Sequence, residues 1–125
     1  MTRPKEGETH AVERTFTRED VRAFGEVSND TQSIHTDPDE EGRLVVHGLL
    51  TATLPTEIGG DLDVLARRME FEFHRPVYTG DTVTCTWTNR HVEERDDRFE
   101  LEVDVACRRD DERVMTGTIA GLVWK

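Results

Sequence analysis

Lysine is nearly absent from this chain: its 16 basic residues include only Lys5 and Lys125 as lysines, against 27 acidic residues and a formal net charge of −11. Positive charge in short supply argues against nucleic acid and anionic membranes as partners, since both reward basic surfaces. An acidic shell almost without lysine is the composition expected of a salt-adapted protein. Cysteine is scarce too. Cys85 and Cys107 are too few for a disulfide framework and fall at inward positions of alternating segments, where each reads as a small apolar core residue. No apolar run approaches the roughly 18 residues of a membrane span. The segment Met1 to Gly7 is polar and lacks the apolar stretch of a secretory signal, so the expectation is a soluble, cytoplasmic protein. Repeats, linkers and low-complexity segments are also missing, so the 125 residues read as one domain, residues 1–125, with one core.

What is present is a change of period. The first ten residues read as loose, and His10 to Arg14 as a short edge strand. Thr17 is placed to cap a helix over Arg18 to Val27, with Asp20 at its third position in an imperfect capping box and Phe16 stapling onto Val21. Val21, Phe24 and Val27 supply its expected buried face. A second, buried helix is expected from His47 or Gly48 to Ile58, striped by Leu50, Leu54 and Ile58 and stopped by Gly59-Gly60. Pro55 should bend this helix unless it restarts there with Pro55 in its first turn.

Beyond Gly60 the pattern alternates. Met69, Phe71 and Phe73, then Val83, Cys85 and Trp87, then Phe99 to Cys107 by twos, and finally Val114 to Trp124 read as half-buried strands. The acidic clusters at 93–97 and 110–112 read as hairpin turns. Helices first and a run of strands afterwards imply an α+β fold with an antiparallel sheet.

Chemistry concentrates in Ser28-Asn29-Asp30-Thr31-Gln32-Ser33-Ile34-His35, a turn-rich stretch directly after the first helix. A loop there can aim Asp30 and His35 at one point, and a carboxylate with an imidazole is a pair able to move protons near neutral pH. Asp30, His35 and His47 lack the close spacing of common zinc sites, so no metal is expected.

This stretch resembles the hydratase motif of the MaoC-like dehydratases and R-specific enoyl-CoA hydratases. Val46-His47-Gly48-Leu49-Leu50 is similar to the family's His-Gly-hydrophobic segment, and Arg75-Pro76-Val77-Tyr78-Thr79-Gly80-Asp81 to its basic-Pro-Val and Gly-Asp turn. The three matches occur in the family's order. The family pattern has Gly before the Asp and Asn-Pro before the hydrophobic-His pair; here Asn29, Gln32 and Ser33 stand in those places, and the His35 to His47 connection is shorter.

The resemblance implies a hot-dog fold, a curved antiparallel β-sheet wrapped around a central α-helix, and a homodimer. It implies hydration of trans-2-enoyl-CoA thioesters to R-3-hydroxyacyl-CoA, or the reverse dehydration, with no bound cofactor. The substrate carrier would be CoA or acyl carrier protein. His35 is then the base that activates water, Asp30 its partner and proton donor, and the Gly48 amide the oxyanion donor at a helix N-terminus. Gln32, His47 and Thr56 are candidate substrate contacts, and Arg67, Arg68 or Arg75 could meet CoA phosphates. The alternatives are a hot-dog acyl-CoA thioesterase and a catalytically silent acyl-thioester-binding subunit.

Overall fold

The computed structural model describes residues 3–125. Its elements run β1 (Thr9–Thr15), α1 (Arg18–Ser28), α2 (Ser33–Thr36), α3 (Gly48–Thr51), α4 (Thr53–Asp61), β2 (Leu65–Phe73), β3 (Thr82–Glu94), β4 (Arg98–Arg109) and β5 (Glu112–Trp124). The strands form one antiparallel sheet in the order β1-β3-β4-β5-β2. Alternation along the strands drives the packing. Val83, Cys85 and Trp87 of β3, Leu101, Val103 and Val105 of β4, and Met115, Ile119 and Val123 of β5 are buried with Leu54 and Ile58 of α4. α4 lies against β1, β3 and β2, so the sheet wraps the helix as the hot-dog arrangement requires. No helix among the described residues is long and apolar enough to cross a membrane.

Thr17 caps α1 through both halves of a capping box: its hydroxyl accepts from the Asp20 amide at 3.1 Å, and its own amide donates to the Asp20 carboxylate at 3.0 Å. Phe16 and Val21 are both fully buried. The expected apolar face is corrected at one position, because Val27 is 83% exposed. Helical geometry gives the reason: the stripe from Val21 continues at i+3, i+4 and i+7, whereas Val27, at i+6, stands roughly 120° round the axis. The buried positions are Val21 and Gly25, with Phe24 packed at their side.

The central helix is interrupted at Ala52 and restarts at Thr53. Pro55 falls in the first turn of α4, where a missing N–H costs little. Gly59-Gly60 does not stop the helix, which runs on to Asp61; the chain turns instead at Asp63, whose φ is 59°. Gly59 serves close approach. A Cβ there would stand 3.3 Å from the Trp87 ring.

Two further expectations change. The segment before β1 is tied down rather than loose, as Gly7 donates to Asn89 O at 2.7 Å, the Asn89 amide to Glu8 O at 2.9 Å and the Asn89 side chain to Lys5 O at 3.1 Å; Met1 and Thr2 lie outside the described residues. Met69 and Phe73, expected on a buried face, are 46% and 53% exposed, because β2 is the edge strand of the sheet and, although Phe71 on the same face packs on the core, the free edge leaves its neighbours open. Cys85 and Cys107 face one another across β3 and β4, buried and free. Contact with Cys107 and burial together push the Cys85 thiol far up, so it stays protonated.

Among the described residues Asn89 is the one buried polar side chain holding the N-terminal segment to the sheet, and its Oδ1 accepts from the buried Trp87 indole at 2.8 Å. Asn89→Leu keeps the volume but orphans the indole N–H and leaves Lys5 O with the Glu8 amide alone. Urea unfolding should show a loss of about 2–3 kcal/mol; a loss below about 1 kcal/mol would show that this network is not holding the segment.

Candidate active site

The end of α1 delivers the acidic loop. Asn29 closes the helix in the left-handed conformation (φ 61°, ψ 17°), its amide donating to Gly25 O at 2.9 Å. Asparagine tolerates this region better than most residues with a side chain, which is how it stands in for glycine here. The chain then forms α2, a single helical turn where a loop was expected, and this turn presents His35.

His35 Nε2 lies 3.6 Å from Asp30 Oδ2. Its other nitrogen, Nδ1, donates to Val45 O at 2.6 Å; since a carbonyl only accepts, Nδ1 carries the hydrogen. In the neutral ring the lone pair of Nε2 therefore faces the carboxylate. His47 Nε2 donates to Asp30 O at 2.9 Å, and the two imidazoles stack with centroids 3.7 Å apart and planes inclined by 18°. The loop and the start of the central helix are thus pinned together by side chains. His47 Nδ1 is buried without a hydrogen-bond partner.

Asp30 Oδ1 accepts from the Gln32 side chain at 2.9 Å and the Gln32 amide at 3.4 Å. The Gln32 side-chain hydrogen bond, reinforced by its backbone and opposed by partial desolvation, holds the Asp30 carboxyl below its ordinary 3.8. Asp30 rests ionised, with Oδ1 occupied and Oδ2 turned to His35. Gln32 acts here on the carboxylate.

Asp30, His35, His47 and Gly48 all border one groove of about 680 Å³, walled by Phe24, Ile34, Leu49, Phe73 and Val77. Gly48 opens α3, and a Cβ on it would stand 2.8 Å from the Phe73 ring. Thr56 is not brought to the groove: it is exposed, and its hydroxyl donates to Ala52 O at 3.0 Å. The buried threonine that does border the groove is Thr51. Its signal was available, since Thr51 lies at i+4 from His47 and i+3 from Gly48, on one helical face. Arg75 also borders the groove, paired with Glu112 at 2.9 Å, while Arg67 and Arg68 pair with Glu100 and Glu70 outside it.

Ligand atoms of Asp30, His35 and His47 lie within 4.8 Å of one another, a cluster that the sequence spacing did not anticipate. Coordination demands an ion in the plane of each imidazole, about 2 Å from nitrogen. Two planes inclined by 18° and stacked meet far beyond that reach. The arrangement favours proton transfer over metal binding.

The model of the MaoC-like domain family matches residues 1–108. The chain belongs to the MaoC-like domain family. Among solved structures, a protein from Archaeoglobus fulgidus is similar at 28% identity and a TM-score of 0.80, over 99% of this chain and 81% of that one. The (R)-hydratase from A. caviae involved in PHA biosynthesis shares the fold at 23% identity and a TM-score of 0.84, over 98% of both chains. A mitochondrial 3-hydroxyacyl-[acyl-carrier-protein] dehydratase of Arabidopsis thaliana is 33% identical over 87 residues, 63% of this chain and 52% of that protein. This MaoC-like chain thus spans about half the length of the curated relative it matches.

If Gln32 holds Asp30 ionised, Gln32→Ala should raise the Asp30 pKa. Carbon-detected NMR titration of the Asp30 carboxyl should give a midpoint below 3.8 in the wild type and a higher one in the variant. Equal midpoints would remove Gln32 from this role.

Proposed function

We propose that this protein adds water across the C2–C3 double bond of a trans-2-enoyl thioester to give the R-3-hydroxyacyl thioester, or catalyses the reverse dehydration. The observation that carries this reading is the convergence of Asp30 Oδ2 and His35 Nε2, 3.6 Å apart, on a largely apolar groove that Gly48 also borders. Divergent side chains would have favoured a silent binding subunit. The family match and the similarity to a hydroxyacyl dehydratase support the same reaction class.

The chemistry follows from the groups present. A water between Oδ2 and Nε2 can donate one hydrogen to each, which turns its oxygen lone pairs toward substrate. Its oxygen bonds to C3 while the π pair moves through C2 onto the thioester oxygen. His35 Nε2 takes the proton that the water loses. The Gly48 N–H, at the start of the central helix, is the donor assigned to the oxyanion. When the enolate collapses, C2 takes one proton from the Asp30–His35 pair, which ends in its starting state. Because Asp30 rests ionised, it can donate only a proton relayed from His35. CoA or acyl carrier protein enters solely as the carrier of the acyl group, and the reaction needs no bound cofactor.

The exposed edge of β2 supports a homodimer. Leu65, Met69 and Phe73 are 60%, 46% and 53% exposed. Two copies of β2 paired antiparallel about a twofold axis at Met69 bring the two Met69 side chains together and place Arg68 opposite the partner's Glu70, short of the bulge between Ala66 and Arg68 that turns Leu65 to the other face. The strand is therefore complementary to itself in charge and in apolar surface. Phe73 belongs to both the groove wall and this edge, which sets the groove beside the interface.

Hydration of crotonyl-CoA, followed by loss of enoyl absorbance, should fall about 10²–10⁴-fold in Asp30→Asn and in His35→Ala. Wild-type turnover with no loss in either variant would exclude this pair. Hydrolysis of saturated acyl-CoA without hydration would point to the thioesterase. For the dimer, sedimentation should show Arg68→Glu and Glu70→Arg each weakening self-association, and a mixture of the two variants restoring it; indifference to both would place the interface elsewhere.

A further inference from the structure

A second recess, of about 220 Å³, reaches Asp30, His35 and His47 from the side of α1, with Gly25, Thr31 and Thr36 around it. The three site residues therefore stand as a partition between two openings: the acyl groove on one side and this smaller recess on the other. We propose that the recess is the entry port for the water that is added or released, separate from the acyl groove. The inference rests on the hydratase reading above.

Three observations carry it. The groove that would take the acyl chain is walled by Phe24, Ile34, Leu49, Phe73 and Val77, so a bound chain displaces water from that side of the pair. Reaction nonetheless needs one water per turnover at His35 Nε2, and the recess borders that side chain with room for several waters. Gly25 keeps the passage open. A Cβ there would stand 3.6 Å from Asp30 O and 4.0 Å from His47 Cε1, narrowing the space beside the ring without a clash. The buried, unpartnered Nδ1 of His47, adjacent to that Cε1, is the kind of acceptor that an internal water satisfies.

Two substitutions test the port. Gly25→Ala narrows it from within at ordinary contact distance, and Thr36→Trp covers it from the exposed rim. Neither residue is assigned contact with the acyl thioester. For crotonyl-CoA hydration, kcat should fall about twofold in Gly25→Ala and at least fivefold in Thr36→Trp, with KM within twofold of wild type and thermal midpoints no lower than that of the wild type. A crystal structure with a saturated acyl-CoA in the groove should show waters running from the recess to His35. Unchanged kcat in both variants, or a water path only through the groove, would overturn the port while leaving the hydratase reading intact. No turnover by the wild type would overturn both. If Thr36→Trp loses its fold, Gly25→Ala and the acyl-CoA structure still decide the matter.

Discussion

The hydrogen bond from His47 Nε2 to Asp30 O, with the stack of His47 on His35, is the contact on which the site depends. It joins the loop after α1 to the first turn of the central helix, two segments that the hydrophobic core alone does not align. The link is reciprocal, because His35 in turn donates to Val45 O just before His47. Each imidazole is held by a carbonyl from the other's neighbourhood, which sets its tautomer and leaves His35 Nε2 facing the Asp30 carboxylate.

That clasp is braced from outside. Val46 N donates to Val77 O at 2.7 Å and Thr79 N to Leu44 O at 2.9 Å, so the strip carrying Val45 and His47 is stitched to the loop before β3. Arg109 holds the same loop from β4, reaching Pro76 O at 2.9 Å and Asp81 at 2.8 Å. Asp81 also accepts from the Tyr78 amide at 2.9 Å. The Gly-Asp turn is thereby a brace for the groove wall, with its carboxylate consumed by structure. Such over-determined support holds Asp30, His35 and His47 in fixed relative positions.

Glycine plays a comparable part where backbone must come close to something else. Gly25 leaves space beside Asp30 and His47, Gly48 lies under the Phe73 ring, and Gly59 lets α4 settle on Trp87. The first two border the site and the third fixes the distance between helix and sheet. Read along the chain, Gly59-Gly60 is indistinguishable from a helix stop, since the contact that explains it comes from a strand about thirty residues away in sequence.

Local physics decided much of this protein in advance. The capping box of α1, the apolar stripe of the central helix and the alternation of β3 to β5 are short-range patterns, and each formed where its residues indicated. Asp30 and His35 were legible for the same reason: five residues of turn-forming chain after a capped helix can bring two side chains together unaided. Tertiary structure alone decided the rest. The bond of His47 to Asp30 O and the open edge of β2 depend on which distant segment packs alongside, and residue periodicity does not encode that.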